Sequence, residues 1–385
     1  MSRRSLRDST RRVVIAPDSF KGSIEAVDAA AALATGWTRR RPGDEVICVP
    51  LADGGEGTLD ALASGLPSHC RRTATVHGPA GEPVEATWLL RPDGTAVVEL
   101  AQAAGITQLD TSRPLSSTTF GVGELLRLAV TDPATTRVLL ALGGSATTDG
   151  GAGALTGLGA RLLDAAGHEL PLGGAALARL ASVTLDDLLP GPIAGLECLV
   201  DVTNPLLGDN GAAAVYGPQK GATTADTAVL EAALTRYVTV LGSAAPRPMD
   251  PDTPGAGAAG GTAFGLLSCW AGRLTSGAAA VADAAGLPAH LAEADIVITG
   301  EGRFDRQSTH GKVVGHVLDL ATERRTPVAI VAGILDMAPP PPAYTAVSLT
   351  GLAPTVSAAM REPGRWLAAA ADALAVQVSS DEPAF

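Results

Sequence analysis

Val13-Val14-Ile15-Ala16-Pro17-Asp18-Ser19-Phe20-Lys21-Gly22-Ser23 is the stretch whose reading decides the fold. Its first four residues are aliphatic on both parities. A run with no polar face reads as a strand covered on both sides, the mark of a parallel sheet. The alanine-rich segment from Ser23 to Trp37 predicts a helix capped by Ser23, with Glu25 in its first turn. Val46-Ile47-Cys48-Val49 then supplies a second strand and completes a β-α-β unit. Similar runs recur near the other end, at Ile296-Val297-Ile298, Val328-Ala329-Ile330-Val331 and Ala346-Val347-Ser348-Leu349.

The middle of the chain has another rhythm. Thr73 to His77, Val84 to Trp88 and Ala96 to Glu99 are separated by Gly78-Pro79-Ala80-Gly81 and Pro92-Asp93-Gly94. Strands spaced by turn residues predict an antiparallel meander. A helix over Gly123 to Val130 and a strand over Val138 to Leu142 follow. The expectation is an α/β protein with a discontinuous parallel-sheet domain from residues 1–70 and 286–385. A second α/β domain of mixed sheet, 71–285, is inserted into it. Ala245 to Gly261, rich in Pro and Gly, reads as a long loop.

Composition narrows the function. The net charge of −12 disfavours nonspecific nucleic-acid binding, although a local positive site can still work inside a negative envelope. No segment approaches the roughly 18 apolar residues of a membrane span. Cys48, Cys70, Cys198 and Cys269 lack metal-ligand spacing; Cys48 and Cys198 sit in apolar runs and read as small core residues. The reading is a cytoplasmic protein without structural disulfides, with homo-oligomer formation left open. Met1 to Arg12 reads as a frayed arm rather than a signal peptide, and Ser379 to Pro383 as a loose tail.

Only three lysines occur, Lys21, Lys220 and Lys312, and each adjoins a glycine; the other 25 basic residues are arginine. A compact ammonium beside glycine, where backbone N–H groups approach closely, is a common way to hold phosphate. Asp18, Ser19 and Lys21 follow the first strand, at the carboxyl end where open α/β sheets bind ligands. Asp53, Gly54, Gly55 and Glu56 follow the second. Gly143-Gly144-Ser145-Ala146-Thr147-Thr148-Asp149-Gly150-Gly151 combines glycines and hydroxyls before an apolar segment. Asp201 and Asn204 follow the Leu199–Val200 strand, and Gln219-Lys220-Gly221 comes soon after. Glu301 stands in Thr299-Gly300-Glu301-Gly302-Arg303-Phe304-Asp305, and Gly311-Lys312 opens a helix.

Two stretches resist a functional reading. Gly255-Ala256-Gly257-Ala258-Ala259-Gly260 matches a dinucleotide fingerprint but follows a Pro-rich loop rather than a strand. That weighs against a nicotinamide dehydrogenase. The six histidines are scattered, and only His310, beside Gly311-Lys312, has a plausible place in a site. A binding protein without turnover is the other rival, against which the many acid–base loops argue.

Taken together, the loops resemble the type 1 glycerate kinase family. The stretches are Ala16 to Ser23, Ala52 to Thr58, Gly143 to Thr147, Asp149 to Gly153, Asn204 to Leu206, Tyr216 to Gly221, Gly255 to Gly261 and Thr299 to Gly302, in the family's order. Thr148 stands where the family usually has Asn, and Phe304 where Ile is common. The resemblance implies ATP-dependent phosphorylation of D-glycerate, with 2-phosphoglycerate as the favoured product, and a Rossmann-like parallel-sheet domain (1–70 and 286–385) that carries the inserted α/β domain (71–285). Lys21, Lys220 and Lys312 are then candidates to neutralise ATP phosphates or the glycerate carboxylate. Asp18, Asp53, Asp149, Asp201 and Glu301 are then candidates to bind Mg²⁺ or accept the hydroxyl proton, with Asp53 and Asp201 the first choices. Loops of both domains are expected to meet in one cleft.

Overall fold

The computed structural model describes residues 10–309, 312–341 and 343–380. Most of the arm expected over Met1 to Arg12, the pair His310-Gly311 and the tail from Asp381 lie outside the described residues. Among the described residues thirteen strands follow in chain order: β1 (Arg12–Ile15), β2 (Glu45–Cys48), β3 (Arg71–His77), β4 (Pro83–Leu90), β5 (Thr95–Glu99), β6 (Arg137–Ala141), β7 (Arg161–Leu163), β8 (Ser182–Thr184), β9 (Leu196–Val200), β10 (Gly272–Ser276), β11 (Ile296–Phe304), β12 (Val328–Leu335) and β13 (Ala343–Ser348). The chain divides into two units. One takes residues up to Asp53, Asp60–Ser64 and everything from Gly277; the other takes Gly54–Leu59 and Gly65–Ser276.

The first unit holds a five-stranded sheet in the order β13-β12-β11-β1-β2. Every pair in it is parallel. Counted within the unit, the order is 2-1-3-4-5, a doubly wound arrangement whose winding reverses between β1 and β11. Both parities of the central strands are buried, as the runs without a polar face predict. Val13, Ile15, Ile296, Ile298, Ala329 and Val331 share a core with the helices Ala26–Arg40 and Pro363–Ser380. Val14, Val297 and Ile330, of the opposite parity, are equally inaccessible, and the helix Val313–Arg324 packs on β11. Each Val or Ile among them contributes about 1.5–3 kcal/mol on burial. Gly36 lies so close to the Ala368 carbonyl that a Cβ would collide with it, which lets the two helices of the first layer touch.

Three local expectations are corrected here. The first helix begins at Ala26, with Glu25 rather than Ser23 at its N-cap, because the Ser23 hydroxyl donates to the Phe20 carbonyl (2.9 Å) and closes a turn. Cys48 is exposed rather than in the core, because β2 is an edge strand. The Gly300–Phe304 stretch is not a loop after a strand. β11 runs through it and stays paired with β12 as far as Phe304↔Leu335.

The second unit holds a six-stranded mixed sheet, β10-β9-β6-β5-β4-β3. The meander β3-β4-β5 is antiparallel, and β5, β6, β9 and β10 run parallel. Antiparallel β7-β8 stands apart. One largely aliphatic core, with Trp88, Tyr237, Phe264 and Trp270 in it, joins the sheet to the helices Phe120–Thr131, Thr224–Ala244 and Thr262–Cys269. Thr223 and Asp226 cap the long helix reciprocally. The apolar Leu155–Leu163 stretch splits into the end of a short helix, Ala152–Gly157, and β7. The Gly255 stretch follows a turn, not a strand, and its glycines admit close packing: a Cβ at Gly257 would meet the Pro205 carbonyl, and one at Gly260 the Thr147 carbonyl. All four cysteines are free. No helix among the described residues is long and apolar enough to cross a membrane.

Candidate functional site

The carboxyl ends of β1 and β11, where the winding reverses, carry a cluster of charged residues. Beyond Ile15 the ladder continues for two more bonds: Ala16 N–H donates to the Ile298 carbonyl (2.7 Å) and Asp18 N–H to the Gly300 carbonyl (2.9 Å). The Thr299 hydroxyl donates to the Ala16 carbonyl (2.8 Å). These bonds hold Asp18 beside Glu301. Phe20 is buried and anchors a tight turn in which Phe20 and Ile24 bond each other and Gly22 takes φ +77°. Lys21 rides on that turn. Its side chain is 78% exposed, and its ammonium lies 3.7 Å from Asp53. Gly302 lies beside the turn, where a Cβ would be in ordinary van der Waals contact with the Lys21 backbone nitrogen (3.4 Å).

These residues line a pocket of about 480 Å³. One part is charged, with Asp18, Asp53, Glu301, Lys21, Arg303 and Lys312. The other is aliphatic, with Ile334, Leu349, Val356, Ala359 and Met360. Of the sequence candidates, Asp18, Ser19, Lys21, Asp53, Glu301 and Lys312 are brought together here. The acids feel their surroundings. Burial, then the neighbouring Asp53, raises Asp18 to about 7, against the opposing pull of Ser19 N–H and Lys21. Burial also raises Glu301, while Ser308 and Lys312 work the other way. Glu301 Oε1 is buried without a hydrogen-bond partner. Lys312 occupies the N-cap of the helix Val313–Arg324, which has no side-chain cap.

The other candidates belong to the second unit. Gly54 and Gly55 lie against the Gly143 loop: Gly143 N–H donates to the Gly54 carbonyl (3.2 Å), and a Cβ on Gly143 would strike Gly55 Cα. Gly144 is exposed, and the Ser145 hydroxyl bonds Thr147 Oγ1 (3.0 Å). Asp149 is wholly buried. Its Oδ2 accepts from Thr119 N–H (2.8 Å), Thr119 Oγ1 (2.9 Å) and Gly153 N–H (3.3 Å), and its Oδ1 from Gly151 N–H (3.1 Å). Lys220 is buried as well and donates to the Thr147 carbonyl at 2.5 Å; burial lowers it to about 8. The carboxylate and the ammonium are thus engaged in holding the glycine loop. Asn204 accepts from the Tyr216 hydroxyl (2.6 Å) and donates to the Asn210 carbonyl (2.8 Å). Asp201, just past β9, is exposed.

Sequence reasoning missed Glu99. It is buried at the end of β5, and its carboxylate accepts from Leu59 N–H (2.7 Å), pinning the segment that follows Gly54-Gly55. The available signal was an acid closing a strand whose five residues are all buried.

The glycerate kinase family model matches residues 13–379. Glycerate 2-kinase of Escherichia coli (strain K12) is 42% identical over 330 residues, which cover 84% of this chain and 85% of that protein. A glycerate kinase of Bacillus subtilis (strain 168) is 42% identical over 328 residues, 84% and 85% of the two chains. A solved crystal structure assigned as glycerate kinase 2 of Salmonella typhimurium LT2 superposes with a TM-score of 0.82 at 36% identity, covering 97% of this chain and 99% of that one. With family loops in order, a matching fold and this identity over most of its length, the chain belongs to the glycerate kinase family and is a kinase.

Proposed function

We propose that the chain transfers the terminal phosphoryl group of ATP to the 2-hydroxyl of D-glycerate, giving 2-phosphoglycerate, in the cytoplasm. The observation that carries this reading is the pocket at the winding reversal, where Asp18, Asp53 and Glu301 share a wall with Lys21 and Lys312. Phosphoryl transfer demands positioning and charge neutralisation more than covalent chemistry. Lys312 supports the presence of an anion. A cation at a helix N-terminus opposes the helix dipole, and an arriving phosphate reverses that penalty while the free N–H groups of the first turn bind it. Lys21, on its exposed turn, supplies a second mobile charge.

The residues present also fit magnesium. Glu301 Oε1 is buried without a partner, and Asp18 and Asp53 stand in the same pocket. Among the described residues no three metal-binding side chains cluster closely enough to hold an ion alone. That suits magnesium, which takes one or two carboxylates and fills its shell with phosphate oxygens and water. When bound, the ion neutralises charge on the phosphates. Asp53 with Glu301 would hold it, and Asp201 is the further ligand or proton acceptor read from the sequence. Asp149 and Lys220 act in this proposal through the glycine loop. The expectation that loops of both units serve one reaction belongs to the same proposal; Asp201→Asn should then stop turnover while nucleotide binding persists.

The test is ADP release by the purified protein with Mg-ATP and D-glycerate, with phosphorus NMR of the product. D-glycerate-dependent ADP and a 2-phosphoglycerate resonance are expected. Folded protein that releases no ADP in response to D-glycerate overturns the reading.

A further inference from the structure

The pocket of the first unit has a wall that the charged residues do not explain. Val356 and Met360 stand one helical turn apart on Val356–Arg361 and therefore share a face. Both line the pocket, and both are about half exposed, 51% and 53%. Ile334, Leu349 and Ala359 back them, and the last two are buried. Large aliphatic side chains left open inside a concave pocket mark a ligand surface more than a packing fault. The wall is continuous with the charged part, where Lys21, Arg303 and Lys312 converge with the acids.

Only one substrate of the proposed reaction can cover such a wall. D-glycerate has three carbons and four oxygens, with no apolar face to offer. A nucleoside triphosphate has a polyanionic tail at one end and a flat, weakly polar ring at the other. That division of polarity matches the pocket's own. Its volume of about 480 Å³ also falls within the usual range for sites of this size of ligand, roughly 300–1,000 Å³.

On the reading that the chain uses ATP, we infer that Val356 and Met360 form the subsite for the purine ring, against the Ile334–Leu349 floor, with the triphosphate directed to Lys21 and Lys312. The ring lies against the aliphatic wall through its face, and recognition there is by shape and burial. Val356 and Met360 are specificity-determining positions: they distinguish a nucleotide from a bare polyphosphate.

Calorimetric binding separates the two parts of the ligand. Mg-bound AMPPNP, a non-hydrolysable ATP analogue, and inorganic tripolyphosphate are each titrated into the wild type and into Val356→Ser/Met360→Ser. The double variant removes apolar area at half-exposed positions, so the fold should persist, checked by thermal melting. The Kd for AMPPNP should rise roughly tenfold or more, and the Kd for tripolyphosphate should stay within about twofold. Equal weakening of both ligands, or no change in either, overturns the subsite. Failure of the inference and of the underlying reading look different. If the wild type phosphorylates D-glycerate but the variant binds AMPPNP as tightly as wild type, only the subsite falls. If the wild type neither binds AMPPNP nor responds to D-glycerate, the ATP reading falls and the subsite with it.

Discussion

The ammonium of Lys220 lies 2.5 Å from the carbonyl oxygen of Thr147, and both residues are buried. The bond ties the short helix turn Pro218–Lys220 to the middle of the glycine loop, while the Lys220 carbonyl in turn accepts from the Ser112 hydroxyl. A buried cation is costly unless it is hydrogen-bonded, and the carbonyl it serves is costly to abandon.

Lys220→Met leaves the Thr147 carbonyl without its donor, a loss of about 1–3 kcal/mol that at pH 7 is offset by removal of the buried ammonium and shows in full only at high pH. The pH profile carries a sign. Lys220 sits at about 8 in the folded state, below its ordinary 10.5, so the cost of burying the ammonium is full below pH 8 and is relieved between 8 and 10.5. Wild type should gain on the non-titrating variant by up to about 3 kcal/mol across that window. Urea unfolding at pH 7, 8.5 and 10 checks this; a constant gap would show that the ammonium is not held at a cost.

Asp18 should give the opposite slope. Its folded value of about 7 exceeds the ordinary 3.8, so its contribution to stability is full below pH 4 and is lost as pH rises through 7. In EDTA, Asp18→Asn should gain on wild type from pH 4 to pH 7, by up to about 4 kcal/mol, and hold level above it. A gap that shrinks over this range would mean that the carboxylate is stabilised in its ionised form.

Lys21→Ala should lower kcat/KM by roughly 10²-fold or more, the scale of losing one fixed charge opposite phosphate. Its side chain is largely exposed and its ion pair with Asp53 is a loose 3.7 Å contact, so stability should move by less than about 0.5 kcal/mol. A well-folded variant within threefold of wild-type activity would make Lys21 a solvated surface charge.

Two glycines should respond oppositely to alanine. Gly143→Ala drives a Cβ into Gly55 Cα, and the backbones must separate, at a cost of about 1–3 kcal/mol with turnover reduced. Gly242 lies inside the helix Thr224–Ala244 with nothing near its would-be Cβ. Gly242→Ala should add about 0.5–1 kcal/mol. Melting temperatures of the pair decide it: equal shifts would mean that the Gly143 contact is not tight.

The α/β architecture was legible because buried parallel strands announce themselves as apolar on both parities, as Val13–Ile15 and Ile296–Ile298 do. What periodicity does not carry is a strand's place within its sheet. Cys48 belongs to a run as apolar as its neighbours, yet β2 is an edge and the thiol is exposed. Nor does composition reveal which of two backbone groups a hydroxyl will choose: Ser23 looked like a cap and serves the Phe20 turn. The charged loops were legible as a set but not in their division of labour. Asp18 and Asp149 both sit in loops that follow a strand; one faces a pocket and the other is enclosed by four donors. That difference depends on Thr119, thirty residues away from Asp149, and no local window contains it. Glu301 was found for the right residue type but the wrong setting, since glycines at 300 and 302 suggested a loop where a strand continues.

The pairing of Val13 with Ile296 has a consequence for how the protein is made. Residues 16 and 299, joined by a hydrogen bond across the same two strands, are 283 positions apart. At roughly 5–20 residues per second, a ribosome needs about 15–60 s between them. For most of that interval β1 has β2 on one side and an open hydrogen-bonding edge on the other, while the strands of the second unit emerge one after another. Vectorial synthesis thus lets the inserted unit mature first and leaves the earliest strand of the chain waiting for nearly the last. Nascent-chain quality control must shelter that edge, and any messenger cut short before Ile296 yields a product whose first strand can never be closed.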